Sequence, residues 1–196
     1  MANSDKKDNK ILKVGFDLDG VLLYNPARII RPVIYIFKRI FLKNRLKKFY
    51  YPKTNLEKFF WTLFHKSSIF IAPGFKEIIK LIKQKKIKAY IITGRFNFLK
   101  KDLDQWVNKM RINHLFSGIY HNKKNEQPHL FKEQMLKKLN LDFFVEDNWD
   151  IVSHLNLKHK TKIFWIYNIF DRGIKYQYKF PGLKKVIEYL KSSIIK

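Results

Sequence analysis

Between Ile11 and Leu190 the chain alternates short apolar runs with amphipathic ones, and this alternation limits the fold more than any other feature. Ile11 to Asp17 reads as a buried first strand. Phe75 to Gln84 carries Phe75, Ile78, Ile79 and Ile82 on one helical face with lysines opposite. It leads into a second strand, Ala89-Tyr90-Ile91-Ile92, which stops at Thr93-Gly94-Arg95. The unit then repeats. Phe98 to Met110 spaces Leu99, Leu103, Trp106, Val107 and Met110 as a helix does, and Phe116 to Tyr120 is a third strand. Leu130 to Leu139 is a helix, and Asp142 to Val145 a fourth strand ending at Glu146-Asp147. A short helix, Ile151 to Leu155, precedes a fifth strand, Ile163 to Tyr167; Leu183, Val186, Ile187 and Leu190 mark a closing helix. Strands and helices in this order predict an α/β fold with a parallel sheet and right-handed crossovers.

One stretch breaks the pattern. From Asn25 to Ala72 the chain is basic, aromatic and helix-like, punctuated by Pro26, Pro32, Pro52 and Pro73. Leu56, Phe59, Phe60, Leu63 and Phe64 follow the spacing of one helix face. The division expected is therefore a disordered lead over residues 1–9, a core built from 10–24 and 73–196, and a helical insertion over 25–72.

Composition adds exclusions. With 41 Lys+Arg against 16 Asp+Glu the net charge is +25, which favours anionic partners: nucleotides, nucleic acid or acidic lipid surfaces. A coding bias toward lysine explains the same charge equally well, since the lysines spread along the whole chain. There is no cysteine, so disulfides, thiolate metal sites and cysteine nucleophiles are excluded. MANSDKKDNK lacks the apolar core of a secretory signal. Ile29 to Leu42 is interrupted by Arg31, Lys38 and Arg39 and falls short of the ~18 apolar residues of a spanning helix. The expectation is a cytoplasmic protein.

The chemistry concentrates at strand ends. KVGFDLDGVLL, Lys13 to Leu23, carries Asp17 and Asp19 onto a turn at Gly20. Two carboxylates so close repel each other unless a proton or a cation lies between them. In open parallel sheets ligands bind at the carboxyl ends of the strands. Three of the five expected strands end there on reactive groups: Asp17/Asp19, Thr93 and Glu146/Asp147.

DLDGVL after an apolar strand, then ITGR, then a lysine, then a strand ending in an acidic pair, resembles the haloacid dehalogenase (HAD) superfamily of phosphohydrolases. The resemblance spans Ile11 to about Leu190. It implies a Rossmann-like three-layer α/β/α core with a helical cap in the position of the insertion. It also implies Asp17 as the nucleophile that forms an aspartyl-phosphate, a role suited to a carboxylate. Asp19 would be the acid, then base, serving the leaving group and the attacking water. Thr93 matches the residue that hydrogen-bonds a phosphoryl oxygen. Gly94 and Arg95 beside it are candidate substrate-binding positions, Arg95 as a bidentate phosphate ligand or simply as a surface arginine.

The lysine that neutralises the phosphoryl group matches Lys132 in relatives whose lysine opens that helix. Where the lysine directly precedes a proline, this chain has Gln127 before Pro128; Lys123 and Lys124 remain alternatives. Asp147 matches the metal-binding acid and, with Asp17 and the Asp19 main-chain carbonyl, would hold Mg²⁺. Glu146, where relatives carry Asp or Gly, has no assigned role, and Asp150 could assist. His129 lies near Lys132; the histidines show no zinc spacing.

The expected activity is thus Mg²⁺-dependent hydrolysis of a small-molecule phosphate ester, with a nucleotide suited to the cationic insertion. Arg28, Arg31, Lys38, Arg39, Arg45, Lys47 and Lys48 supply its charge, and Tyr35, Tyr50, Tyr51 and Trp61 could stack on a base. Two rival readings use the same residues: a nucleic-acid-binding protein on a HAD-like scaffold, and an amphipathic segment lying on anionic membrane.

Overall fold

The computed structural model describes residues 11–24, 49–66, 68, 70–156 and 160–195. Six strands form one parallel sheet: β1 (Leu12–Phe16), β4 (Ile87–Phe96), β5 (Gly118–Asn122), β6 (Phe143–Glu146), β7 (Lys162–Ile166) and β8 (Lys179–Phe180). Their spatial order is β5-β4-β1-β6-β7-β8, so the order reverses beside β1. That reversal is the crevice in which doubly wound sheets bind ligands.

Helices lie on both faces, as the alternation of buried residues demands. Ile91, Val145, Phe143 and Phe164 point into a core shared with α2 (Phe75–Lys83), α3 (Lys100–Lys109) and α6 (Leu183–Ile195). Their neighbours Tyr90, Ile92, Phe144, Ile163 and Trp165 point the other way, onto α4 (Pro128–Leu139) and α5 (Trp149–Asn156). A strand buried on both faces needs apolar residues at successive positions, which is why these runs look continuous rather than alternating. The arrangement is a three-layer α/β/α fold.

Three features depart from the expected elements. β4 does not stop at Ile92; it continues through Thr93, Gly94 and Arg95 to Phe96, with an irregularity in its pairing to β5 between Thr93 and Phe96. β8 is a sixth strand, too short and polar at Lys179 to announce itself by hydropathy. A small antiparallel pair, β2 (Leu23–Tyr24) and β3 (Phe70–Ile71), closes the base of the insertion.

Within the insertion, α1 (Asn55–Lys66) starts at a capping box. The Thr54 hydroxyl accepts the Glu57 N–H at 3.2 Å, and the Glu57 carboxylate accepts the Thr54 N–H at 2.9 Å. Tyr50 also donates to Glu57 at 2.6 Å. Residues 1–10 and 25–48 lie outside the described residues, and with them the expected disordered lead and most of the cationic side chains assigned to the insertion.

Candidate active site

The site is built where β1 and β6 end side by side. The Asp17 N–H donates to the Val145 carbonyl at 2.9 Å, extending the β1–β6 ladder by one residue. That register brings the Asp17 carboxylate to Glu146 and Asp147, and oxygens of all three lie within 4.8 Å of one another. The chain then turns sharply, with Gly20 N–H on the Leu23 carbonyl at 2.7 Å. Gly20 has φ +86°, and a Cβ there would lie 2.2 Å from an Asp147 carboxylate oxygen. Glycine is thus required both for the turn and for the approach of Asp147.

Lys132 enters from the opposite side, on α4, and is almost fully buried. Its Nζ lies 3.0 Å from Asp17 Oδ2 and 2.5 Å from Glu146 Oε2. Lys123 and Lys124, the alternatives for this role, are exposed. Glu146 spends its other oxygen, Oε1, on the N–H groups of Asp147 at 3.1 Å and Asn148 at 3.0 Å. Its place is therefore behind Lys132, holding the ammonium and the loop that carries Asp147. The residue whose role the motif left open is fully buried and fully occupied.

Asp19 is held differently. Arg95 donates Nε to Asp19 Oδ2 and Nη2 to Asp19 Oδ1, both at 2.7 Å, in a bidentate fork. His65, in the last turn of α1, places Nδ1 3.3 Å from Asp19 Oδ2. The sequence offers Arg95 as a phosphate ligand or a surface residue; here it is buried, and its guanidinium faces a carboxylate of the protein. Gly94 serves close packing, since a Cβ would sit 3.0 Å from Pro128 at the start of α4. Thr93 is buried at the same end of the sheet, two residues beyond the Phe16–Ile91 pair, and its hydroxyl accepts the Arg95 N–H at 3.3 Å. Asp150 stands outside the acidic cluster found among the described residues.

The electrostatics separate the acids. Burial raises the pKa of Asp17 above its ordinary value against the pull of Lys132, with Asp147 and Asp19 adding to the rise. Glu146 is pushed up to about 8, chiefly by burial; Lys132 opposes and the neighbouring acids reinforce it. Burial would also raise Asp19, but Arg95, helped by His65, outweighs it and holds that carboxyl well below the usual range. Burial would lower Lys132, yet Asp17 and Glu146 raise it, so the ammonium stays charged. Arg95 pairs with Asp19, and Lys132 pairs with both Asp17 and Glu146. Buried carboxylates with hard oxygen donors are a set that fits a small divalent cation, with Asp17 and Asp147 each offering an oxygen and Glu146 engaged by Lys132 and the main chain.

Sequence reasoning missed two contributors. His65 lies 46 positions from Asp19 and no spacing rule connects them; only the path of α1 does. Gln127, noted as a departure from the lysine pattern, uses its side-chain amide to clip the main chain at Phe49. It accepts that residue's N–H at 2.8 Å and donates to its carbonyl at 3.3 Å. The His129 ring meets Phe49 at a tilt and His154 edge-on.

No protein-family model matches the sequence, and no curated protein matches it. Solved structures do share its architecture. A HAD-superfamily hydrolase from Ehrlichia chaffeensis superposes with a TM-score of 0.51 at 14% identity, over 94% of this chain and 97% of that one. A haloacid dehalogenase-like hydrolase from Streptococcus pneumoniae gives 0.54 at 16% identity, over 91% and 98%. CbbY from Rhodobacter sphaeroides, solved in complex with phosphate, gives 0.55 at 11% identity, over 90% and 96%. These likenesses are of architecture: the chain has the HAD-like fold.

Proposed function

We propose that this protein is a Mg²⁺-dependent phosphohydrolase that cleaves a phosphate monoester through an aspartyl-phosphate on Asp17. The observation that carries the reading is the Lys132 ammonium 3.0 Å from Asp17 Oδ2, beside the buried acids Glu146 and Asp147. The HAD-like fold supports it. Asp17, Asp147 and the Asp19 main-chain carbonyl would hold Mg²⁺, which would supply positive charge to the phosphoryl oxygens.

The side chains divide the work. Asp17 attacks phosphorus with one carboxylate oxygen while the ester oxygen departs with the bonding pair. Lys132, kept charged and aimed by Glu146, neutralises the nucleophile and the phosphoryl group it receives. Thr93 donates its hydroxyl to a phosphoryl oxygen. Asp19 is ionised under the Arg95 fork, which is the form needed to take a proton from the water that hydrolyses the aspartyl-phosphate. To protonate the first leaving group it must be released from that fork and take up a proton from solvent, and the incoming phosphate is the competing anion for Arg95.

Residues 49–66 belong to the insertion, and its position is that of a cap which excludes water and contacts the leaving group. A nucleotide leaving group suits Tyr50, Tyr51 and Trp61, but the residues 28–48 that most favour a nucleotide or nucleic acid lie outside the described residues. Release of inorganic phosphate from an aryl phosphate with Mg²⁺, lost in Asp17→Asn, tests the reading.

A further inference from the structure

His65 carries α1 to the reacting groups. The β2–β3 pair sets Leu23 against Ile71, and the Ala72 N–H donates to the Leu22 carbonyl at 3.0 Å, so the exit from the insertion is tied to the turn that follows Asp19. That tie brings the last turn of α1 over the acid, with His65 Nδ1 3.3 Å from Asp19 Oδ2. The imidazole is braced from its own helix, by Trp61 at a ring separation of 6.1 Å and by Phe64 edge-on at 5.7 Å. Trp61 in turn meets Tyr50, whose hydroxyl donates to the capping-box Glu57. Yet Nδ1 is buried without an aligned hydrogen bond, and the oxygen it faces already accepts Arg95 Nε at 2.7 Å. A buried polar atom left in that condition costs free energy, which calls for a state of the protein in which it is satisfied.

We infer that His65 is a positioning residue: it takes over the Asp19 carboxyl group when substrate draws Arg95 away, and so ties proton transfer to the seating of α1. The inference rests on the reading of Asp19 as acid and base. Charge alone does not require His65 there, because Arg95 already pairs with Asp19. Arg95 holds both Asp19 oxygens, and a carboxylate held so stays ionised, with no proton to give. Once the phosphate occupies Arg95, His65 is the described side chain still in contact with Asp19. Donation from Nδ1–H to Oδ2 then fixes the plane of the acid and leaves Oδ1, carrying the proton taken from solvent, to face the ester oxygen. The proton passes from Oδ1 to the departing oxygen as its bond to phosphorus breaks, and Asp19 is left as the carboxylate that serves the attacking water. Lys66, next along the helix, makes a different contact with the core, to Asp102 at 3.7 Å, and its side chain is exposed.

The bond-breaking step, read in the pre-steady state with Mg²⁺ across a leaving-group series, tests this in the full chain. For His65→Ala the expected result is at least about tenfold loss on alkyl phosphates and less than about threefold on a nitrophenyl phosphate, whose leaving group needs no proton. His65→Asn, whose Nδ2 occupies the place of Nδ1, should restore most of the alkyl rate. Lys66→Met breaks the neighbouring contact of α1 with the core and should keep the wild-type leaving-group pattern. Should His65→Ala melt at a lower temperature than wild type, His65→Gln, which sets its amide one carbon farther out, takes its place with the same expected losses. Equal losses across the series in the His65 variants, or none, overturn the inference. It is also overturned if His65→Asn is as impaired as His65→Ala, or if Lys66→Met shows the same selective loss, which would make the seating of α1 the cause. A wild type that hydrolyses no ester removes the reading of Asp19 and this inference with it; an active wild type with an unimpaired His65→Ala overturns this inference alone.

Discussion

Arg95 grips both carboxylate oxygens of Asp19, at 2.7 Å each, although the two residues lie 76 positions apart. Both groups are buried, so the pair is screened little by solvent. Removing one partner of such a pair strands the other charge and typically costs about 3–5 kcal/mol. Arg95→Met is therefore expected to lower unfolding free energy by that amount in urea titration. Asp19→Asn/Arg95→Met should recover part of the loss, and equal stability of Arg95→Met and wild type would show that the fork contributes nothing.

The same pairing bears on the proposed role of Asp19. If Asp19 protonates the leaving group, Asp19→Asn must harm esters of basic alcohols more than esters of acidic phenols, which leave without help. Turnover of alkyl phosphates should fall by about 10²–10⁴-fold, and turnover of a nitrophenyl phosphate by much less at the bond-breaking step. Equal losses across a leaving-group series, read in the pre-steady state, would remove Asp19 from that step.

Glu146 gives the metal-free protein a pH signature. Its pKa is raised from the ordinary 4.5 to about 8, mainly by burial. Between those values the folded chain holds a proton that the unfolded chain has released, so stability falls as pH rises across this window. Glu146→Gln should abolish that part of the slope while other titrating groups act alike in both proteins. Unfolding free energies of wild type and Glu146→Gln, measured in chelator from about pH 5 to about pH 8, should converge or cross as pH rises. Parallel profiles would contradict the buried, protonatable Glu146.

Mg²⁺ is expected to stabilise the fold by binding the acidic cluster. A ligand at 100 times its Kd adds about 2.7 kcal/mol, or about 5 °C or more in melting temperature for a chain of this size. Asp147→Asn should lose the shift. Persistence of the full shift in that variant would place the ion elsewhere.

Much of the fold was legible because each core element carries its own periodicity: Phe75 to Lys83 and Leu183 to Ile195 show it plainly. β4 ran four residues beyond the expected strand because Thr93, Gly94 and Arg95 look like a turn and are held extended by β5 and by the packing of Gly94 on Pro128. The acids of the site were visible as strand-end pairs. The partner of Arg95 was not, because sequence shows that an arginine is present and not which anion it will meet. Least legible was α1. Its stripe of Leu56, Phe59, Phe60 and Leu63 reads as a core face by spacing alone, and nothing in the spacing tells a helix which way to turn.

The central claim is transfer of a phosphoryl group to Asp17, and it is tested most directly by phosphate release from an aryl phosphate with Mg²⁺, comparing wild type with Asp17→Asn of matched melting temperature. The account predicts turnover by wild type and a loss on the order of 10³-fold or more in Asp17→Asn, since the amide lacks the nucleophilic carboxylate oxygen. Undiminished turnover in Asp17→Asn would contradict it.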